Sequence, residues 1–345
     1  MKVGVHHNML LGAFVGFTLV IVCLFSPSPP KTEMLLVPGC KKKGRYFSQI
    51  QTMNVSATDK CLDLQLDDDI HNRITPLSSE RDRCLLYQPP PSDFVKTVMN
   101  FVVGAPNQGK CAGGMGGCSK YSPYVEEERL YGNDWPPFGY TMIGKKRLEQ
   151  FRAAIHEVDR NQIKGAIVEM GVWRGGAMIT AAAITKEAQS GRDLFLYDAF
   201  ESIPGYGGSS SFLENSEEDV KSYFDLFSLL DKNVHFIKGL FKDTVPKWQK
   251  GTPIAVLRID GNFYDSYSDA LYSMYEDVAI GGIVIFDDVM SHPAVMNCWL
   301  DFKADQGLAE ELNRIDSHSA WFRKKIDVKI DVSKKHPPQD VNKEA

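Results

Sequence analysis

Leu257-Arg-Ile-Asp-Gly-Asn-Phe-Tyr-Asp265, then the apolar run Gly282-Ile-Val-Ile-Phe286 ending on Asp287-Asp288, is the stretch from which the fold is read. Two short runs rich in branched apolar residues read as strands, and they deliver Asp260, Asp287 and Asp288 to their carboxyl ends. In an open parallel sheet those ends share one edge, and ligands bind there. Three carboxylates that close repel one another unless a cation sits between them. An all-oxygen donor set suits a hard divalent ion such as Mg²⁺ or Mn²⁺. Any one of these aspartates alone also reads as the cap of the following helix.

Outward from that stretch, apolar periodicity alternates between helix and strand. Helices are predicted over 145–161, 176–190, 217–230, from 243, over 266–278 and over 294–305. Strands are predicted over 165–169, 194–198, 234–238, 254–259 and 282–286. Strands alternating with helices require crossover connections, hence an α/β doubly wound parallel sheet covered on both faces. The first strand ends on Glu169 and opens into Gly171-Val-Trp-Arg-Gly-Gly176, glycines that let backbone approach a ligand at a helix N-terminus. This spacing lacks the G-x-G-x-x-G of a pyrophosphate cradle. The second strand ends on Asp198, 29 residues beyond Glu169, where an acid can take both hydroxyls of a ribose. Ribose without pyrophosphate points to S-adenosylmethionine.

The flanks have a different character. The chain has 345 residues, 43% of them hydrophobic, and a formal net charge of -5 with signs interspersed, so it has no electrostatic footprint for nucleic acid. Residues 9–25 (MLLGAFVGFTLVIVCLF) are uncharged and apolar and follow a short tail, 1–8. As a helix they span about 26 Å, close to the thickness of early secretory membranes. The Pro-rich flank after them is a poor cleavage site, so they read as a signal-anchor transmembrane helix. Residues 26–120 read as a stem and cysteine-bearing linker, 121–331 as the folded domain, and 332–345 as a disordered tail. Six cysteines beyond Cys23 and a sequon at Asn54 suggest an oxidising lumen, with Cys111 and Cys118 the nearest local pair. Together these place a single-pass type II membrane protein with its domain facing the Golgi or ER lumen. A homo-oligomer is left open.

The residues of 131–325 resemble the macrocin O-methyltransferase (TylF-like) family, metal- and S-adenosylmethionine-dependent enzymes of the class I methyltransferase (Rossmann-like) fold that methylate sugar hydroxyls. The resemblance is carried by Asp134-Trp-Pro136, Tyr140-Thr-Met-Ile-Gly144, Val168-Glu-Met-Gly-Val-Trp-Arg-Gly-Gly176, Tyr197-Asp-Ala-Phe-Glu-Ser202, Lys238-Gly-Leu-Phe241, Arg258-Ile-Asp-Gly261 and Phe286-Asp-Asp-Val289. It implies that Thr141, Met142, Glu169, Gly171 and Arg174 surround the methionine part of the cofactor. Asp198 and Ser202 would hold the ribose, Gly239 and Phe241 would lie near the adenine, and Asp260, Asp287 and Asp288 would bind the metal. The family pattern after the first metal acid is Asp-Gly-Asp, with the second Asp similar to a general base; here that position is Asn262. An amide accepts no proton. Asp265, His292 or the metal alone could substitute, or binding could persist without turnover. The expected function is methylation of a hydroxyl on a glycan or other polyol acceptor. The rivals are a cofactor-binding pseudoenzyme and a membrane-tethered scaffold.

Overall fold

The apolar runs around Asp260 and Asp287 are adjacent strands in the computed structural model, which describes residues 90–107, 109–111, 121–123, 125–134, 136–202 and 213–338. The strands are β1 (Gly109–Cys111), β2 (Tyr121–Pro123), β3 (Ala166–Met170), β4 (Leu194–Asp198), β5 (Val234–Lys238), β6 (Ile254–Ile259), β7 (Val278–Phe286), β8 (Asn313–Arg314) and β9 (Ala320–Arg323). β1 and β2 form a separate antiparallel pair. The other seven form one sheet in the order β5-β4-β3-β6-β7-β9-β8, parallel from β5 to β7 and antiparallel at β9 and β8. From β3 the chain first steps outward to β4 and β5, then returns to lay β6 on the other side of β3. The topological switch point therefore lies between β3 and β6, where a crevice opens beyond the strand ends.

The helices are α1 (Asp93–Val102), α2 (Glu126–Tyr131), α3 (Lys145–Arg160), α4 (Gly176–Glu187), α5 (Glu217–Leu226), α6 (Phe241–Thr244), α7 (Tyr264–Met274) and α8 (Pro293–Gln306). Every residue of β3 and β6 is buried, as expected of parallel strands covered on both faces. Alternate strand residues feed two cores. Ile167, Val256, Ile283 and Ile285 pack with Leu148 of α3, Ile179 of α4 and Val98 of α1. Val168, Leu257, Val284 and Phe286 pack with Leu271 of α7 and Trp299 of α8.

Several boundaries differ from expectation. The stretch assigned to the linker contains α1, capped by Ser92, whose side chain accepts from Val95 N–H; Val95, Val98, Met99 and Val102 are buried in the first core. Its short amphipathic pattern was masked by the Pro-rich run before it. α7 begins at Tyr264 and gives way to a 3-10 turn at Tyr275–Asp277, so β7 starts at Val278. Residues 332–338 of the expected tail are tied down: Lys335 pairs with Asp269 of α7, and His336 Nε2 lies 3.2 Å from Asp305 of α8. Cys298 is buried and unpaired. Among the described residues no helix is long and apolar enough to cross a membrane. The expected span at 9–25, the sequon at Asn54 and Cys118 lie outside the described residues.

Candidate active site

Strand register assembles the site. Glu169 of β3 and Arg258 of β6 are in-register partners, and Arg258 is partnered with Ile285 of β7. Residues in register on parallel strands face the same way, and so do those two positions further on. The second row holds Gly171, Asp260 and Asp287 at the open edge of the crevice, on the face covered by α3 and α4. Gly171 sits at φ +86°, and a Cβ there would fall 1.9 Å from the Asp260 carbonyl oxygen, so the close approach requires glycine.

Two buried guanidiniums organise the acids. Arg258 donates from Nη1 to Glu169 Oε1 at 2.6 Å, and its Nη2 lies 3.0 Å from Asp260 Oδ2 and 3.2 Å from Asp287 Oδ2. Arg147, in the first turn of α3, donates from Nη1 to both Asp287 oxygens at 2.8 and 2.9 Å, and its Nε lies 3.2 Å from Asp316 Oδ2. The Ser319 hydroxyl also donates to Asp287, and the Tyr267 hydroxyl ties the Ile259 and Asp287 carbonyls together. Five carboxylates thus face two guanidiniums, an excess of three formal negative charges.

The electrostatics reflect that excess. Burial would raise the Asp287 carboxyl, but Arg147 and Arg258 outweigh it and hold it well below the usual carboxylate range. Burial and the Asp287 charge push Asp288 up to about 7 and raise Asp260 well above its ordinary value. Burial, opposed by Arg258, lifts Glu169 to about 8. Asp260, Asp287 and Asp288 each offer an oxygen within 4.8 Å of the others. Hard oxygen donors at this spacing, with a surplus of negative charge that resists full ionisation, fit a divalent cation.

The residues expected around the methyl donor gather on the same edge. Asp198 Oδ2 accepts from Val172 N at 2.7 Å and Trp173 N at 3.1 Å, and Oδ1 accepts from Phe200 N at 3.1 Å. Trp173 and Phe200 both sit at φ +48°, unusual for bulky residues, and this carboxylate braces both. Gly239 N donates to the Asp198 carbonyl at 2.9 Å, and Phe241 lies against Gly261. Thr141 is buried and Met142 half-buried, beside Arg129, which donates to the Met142 and Ile143 carbonyls. Two expectations change in detail. Arg174 stacks on Trp173 and donates to the Pro137 and Gly139 carbonyls, so it clamps the 137–139 loop. The first N–H of α4, on Gly176, donates to the Tyr140 carbonyl at 2.7 Å, which occupies part of that helix terminus. Ser202 is exposed at the end of its described segment.

Of the candidates for proton transfer, Asn262 sits at φ +59° and is half-buried beside Asp260 in the chain. His292 is the N-cap residue of α8, and its Nδ1 lies 3.9 Å from Asp288 Oδ1, beside the carboxylate trio. Asp265 lies in the first turn of α7 and acts electrostatically on Cys298 of α8; the carboxylate cluster forms without it.

Residues 115–324 match the family profile of macrocin O-methyltransferase (TylF). The chain belongs to this family. The demethyldecarbamoylnovobiocin O-methyltransferase of Streptomyces niveus is 40% identical over 218 residues, covering 59% of this chain and 82% of the relative. The mycinamicin III 3''-O-methyltransferase of Micromonospora griseorubida is 31% identical over 245 residues, covering 66% and 93%. Among solved structures, the O-methyltransferase NovP superposes with a TM-score of 0.62 at 33% identity, covering 68% of this chain and 98% of NovP. The macrocin O-methyltransferase match thus spans the seven-stranded sheet and the carboxylate edge, and leaves out α1 of the first core.

Sequence reasoning missed Arg147, Arg258, Asp316 and Ser319 as site residues. Arg258 carried a signal, a lone charge inside an otherwise apolar buried strand. Arg147 looked like any helical arginine, and Ser319 precedes a strand of only four residues.

Proposed function

We propose that this macrocin O-methyltransferase relative transfers a methyl group from S-adenosylmethionine to a hydroxyl of a sugar or other polyol, with a divalent cation held by Asp260, Asp287 and Asp288. The observation that carries the reading is the switch-point crevice, where Glu169 and the Gly171–Gly176 turn on β3 lie next to Asp260 after β6, itself next to Asp287 and Asp288 after β7. The relatives support the substrate class, since their names describe methylation of novobiocin and mycinamicin precursors and of a rhamnosyl tetracenomycin.

When bound, S-adenosylmethionine supplies an electrophilic methyl group and the cation lowers the pKa of the attacked hydroxyl. The chain's own residues do the rest. Arg147 and Arg258 keep Asp287 ionised, Glu169 would accept a hydrogen bond from the cofactor's ammonium, and Asp198 braces the turn that would receive its ribose. With the donor bound, transfer would move its methyl group to the acceptor oxygen and release S-adenosylhomocysteine, and these residues would only bind and orient the two. The hydroxyl proton passes to His292 or to solvent, because the Asn262 amide cannot accept it. Asn262 also favours a second reading, a fold that binds cofactor and metal without turnover.

A labelled methyl donor, a panel of sugars and glycans, and matched reactions with Mg²⁺ or chelator test the proposal. Metal-dependent label transfer is expected. Binding of S-adenosylhomocysteine and Mg²⁺ without transfer to any acceptor would favour the second reading, and activity unaffected by complete metal removal would refute the metal assignment. The apolar run at 9–25, the stem and the Asn54 sequon support a type II protein facing the Golgi or ER lumen. Glycosidase treatment of protein made in secretory cells should increase its gel mobility, and Asn54→Gln should abolish that shift.

A further inference from the structure

We propose that Arg258 is a positioning residue that sets the methyl-donor half of the crevice against the metal half; this rests on the cofactor and metal reading above. Arg258 is 2% exposed, on a strand that is otherwise apolar and wholly buried, so its charge faces protein groups alone. Its fork is divided between two chemistries. Nη1 holds Glu169, the acid on the donor side, while Nη2 reaches Asp260 and Asp287 on the metal side. The Glu169 Oε2 atom is buried with no hydrogen-bond partner, so the donor side retains an unsatisfied acceptor even with Arg258 in place. Arg147 by contrast reaches Asp287, Asp316 and the Tyr131 carbonyl, and its described ion pairs do not include Glu169. Among the described ion pairs, only those of Arg258 join acids of both halves.

A planar guanidinium fixes the separation of the carboxylates it bridges, whereas a lysine ammonium is a single point on a flexible stem. The strand register already places Glu169 opposite Arg258, with Asp260 two residues further along the same face. The fork converts that backbone alignment into an alignment of side chains. Donor acid and metal acids then hold a constant relation, which in-line methyl transfer requires.

Calorimetry on the full chain, with S-adenosylhomocysteine and Mg²⁺ as separate probes, tests this. Arg258→Lys keeps the charge and loses the fork, and it should weaken both probes by about tenfold, the loss of one charge-assisted hydrogen bond on each side. Asp288→Asn, which leaves the Arg258 contacts intact, should weaken Mg²⁺ alone. Nitrogen-15 spectra of the arginine side chains give a readout on unaltered protein. The guanidinium signal displaced by Glu169→Gln should shift on adding S-adenosylhomocysteine and again on adding Mg²⁺. A folded Arg258→Lys protein with both affinities within about twofold of the original, or spectra in which no guanidinium responds to both probes, would overturn the inference. Unaltered protein that binds neither probe would overturn the cofactor reading and this inference with it.

Discussion

Asp198→Ala should damage stability and cofactor binding together, because the carboxylate does two jobs. It accepts three backbone N–H groups, and two of these belong to Val172 and Phe200, which are 5% and 2% exposed, so water cannot replace the lost acceptor. Two buried donors left unsatisfied cost about 1–3 kcal/mol each. Part of that is recovered as Trp173 and Phe200 relax from φ +48°, a conformation costing on the order of 1–3 kcal/mol per residue. A net loss of about 2–3 kcal/mol in unfolding free energy follows. On the ribose role that the family resemblance implies for Asp198, binding would also lose a charge-assisted contact of about 1.5–3 kcal/mol, and it must re-order the loop. S-adenosylhomocysteine affinity should therefore fall by about 100-fold or more, at about 1.4 kcal/mol per tenfold. Urea denaturation and titration calorimetry measure the two effects. Stability within about 0.5 kcal/mol of the original and affinity within about threefold would refute both roles.

The metal assignment predicts a pH dependence. Asp288 sits near 7 and Asp260 is raised in the metal-free protein, so Mg²⁺ must displace protons below that pH; calorimetry should show affinity rising from pH 6 to 8 and little metal binding at any of these pH values after Asp288→Asn. Asn262→Asp should fold normally, since Asp tolerates the φ of +59° there, and should raise turnover by about 10²–10⁴-fold in a methyl-transfer assay, most at lower pH. Arg147→Met leaves buried Asp316 without a guanidinium and Asp287 with only Arg258 and Ser319, and should cost about 3–5 kcal/mol by urea denaturation, with part restored by adding Asp316→Asn.

The parallel part of the fold was legible because buried strands between helices leave continuous apolar runs, and β3, β4, β5 and β6 lie where those runs predict. The meeting of Asp260, Asp287 and Asp288 was legible for a related reason: acids that close apolar runs stand out from them. β8 and β9 were not, because pairs of two and four residues carry too few alternations to register as a pattern. Arg147 and Ser319 were hidden by distance, lying 140 and 32 residues from the Asp287 they contact. The role of Asp198 as a brace for strained backbone was equally invisible, since it depends on the φ values of Trp173 and Phe200.

The reversed strand β9 follows Ser319, and Asp316 and Ser319 together close the last side of the carboxylate edge. A ribosome makes the chain from the other end, so Arg147, Glu169, Arg258 and Asp287 all emerge before the residues that complete their network. Until residues 316–319 are released, Asp287 lacks one of its donors and Arg147 one of its acids. Such long-range closure delays folding until the partners meet. During synthesis the crevice is thus an acidic, half-balanced edge, and a chain cut short before Ser319 would carry the strands of the enzyme without its finished charge network.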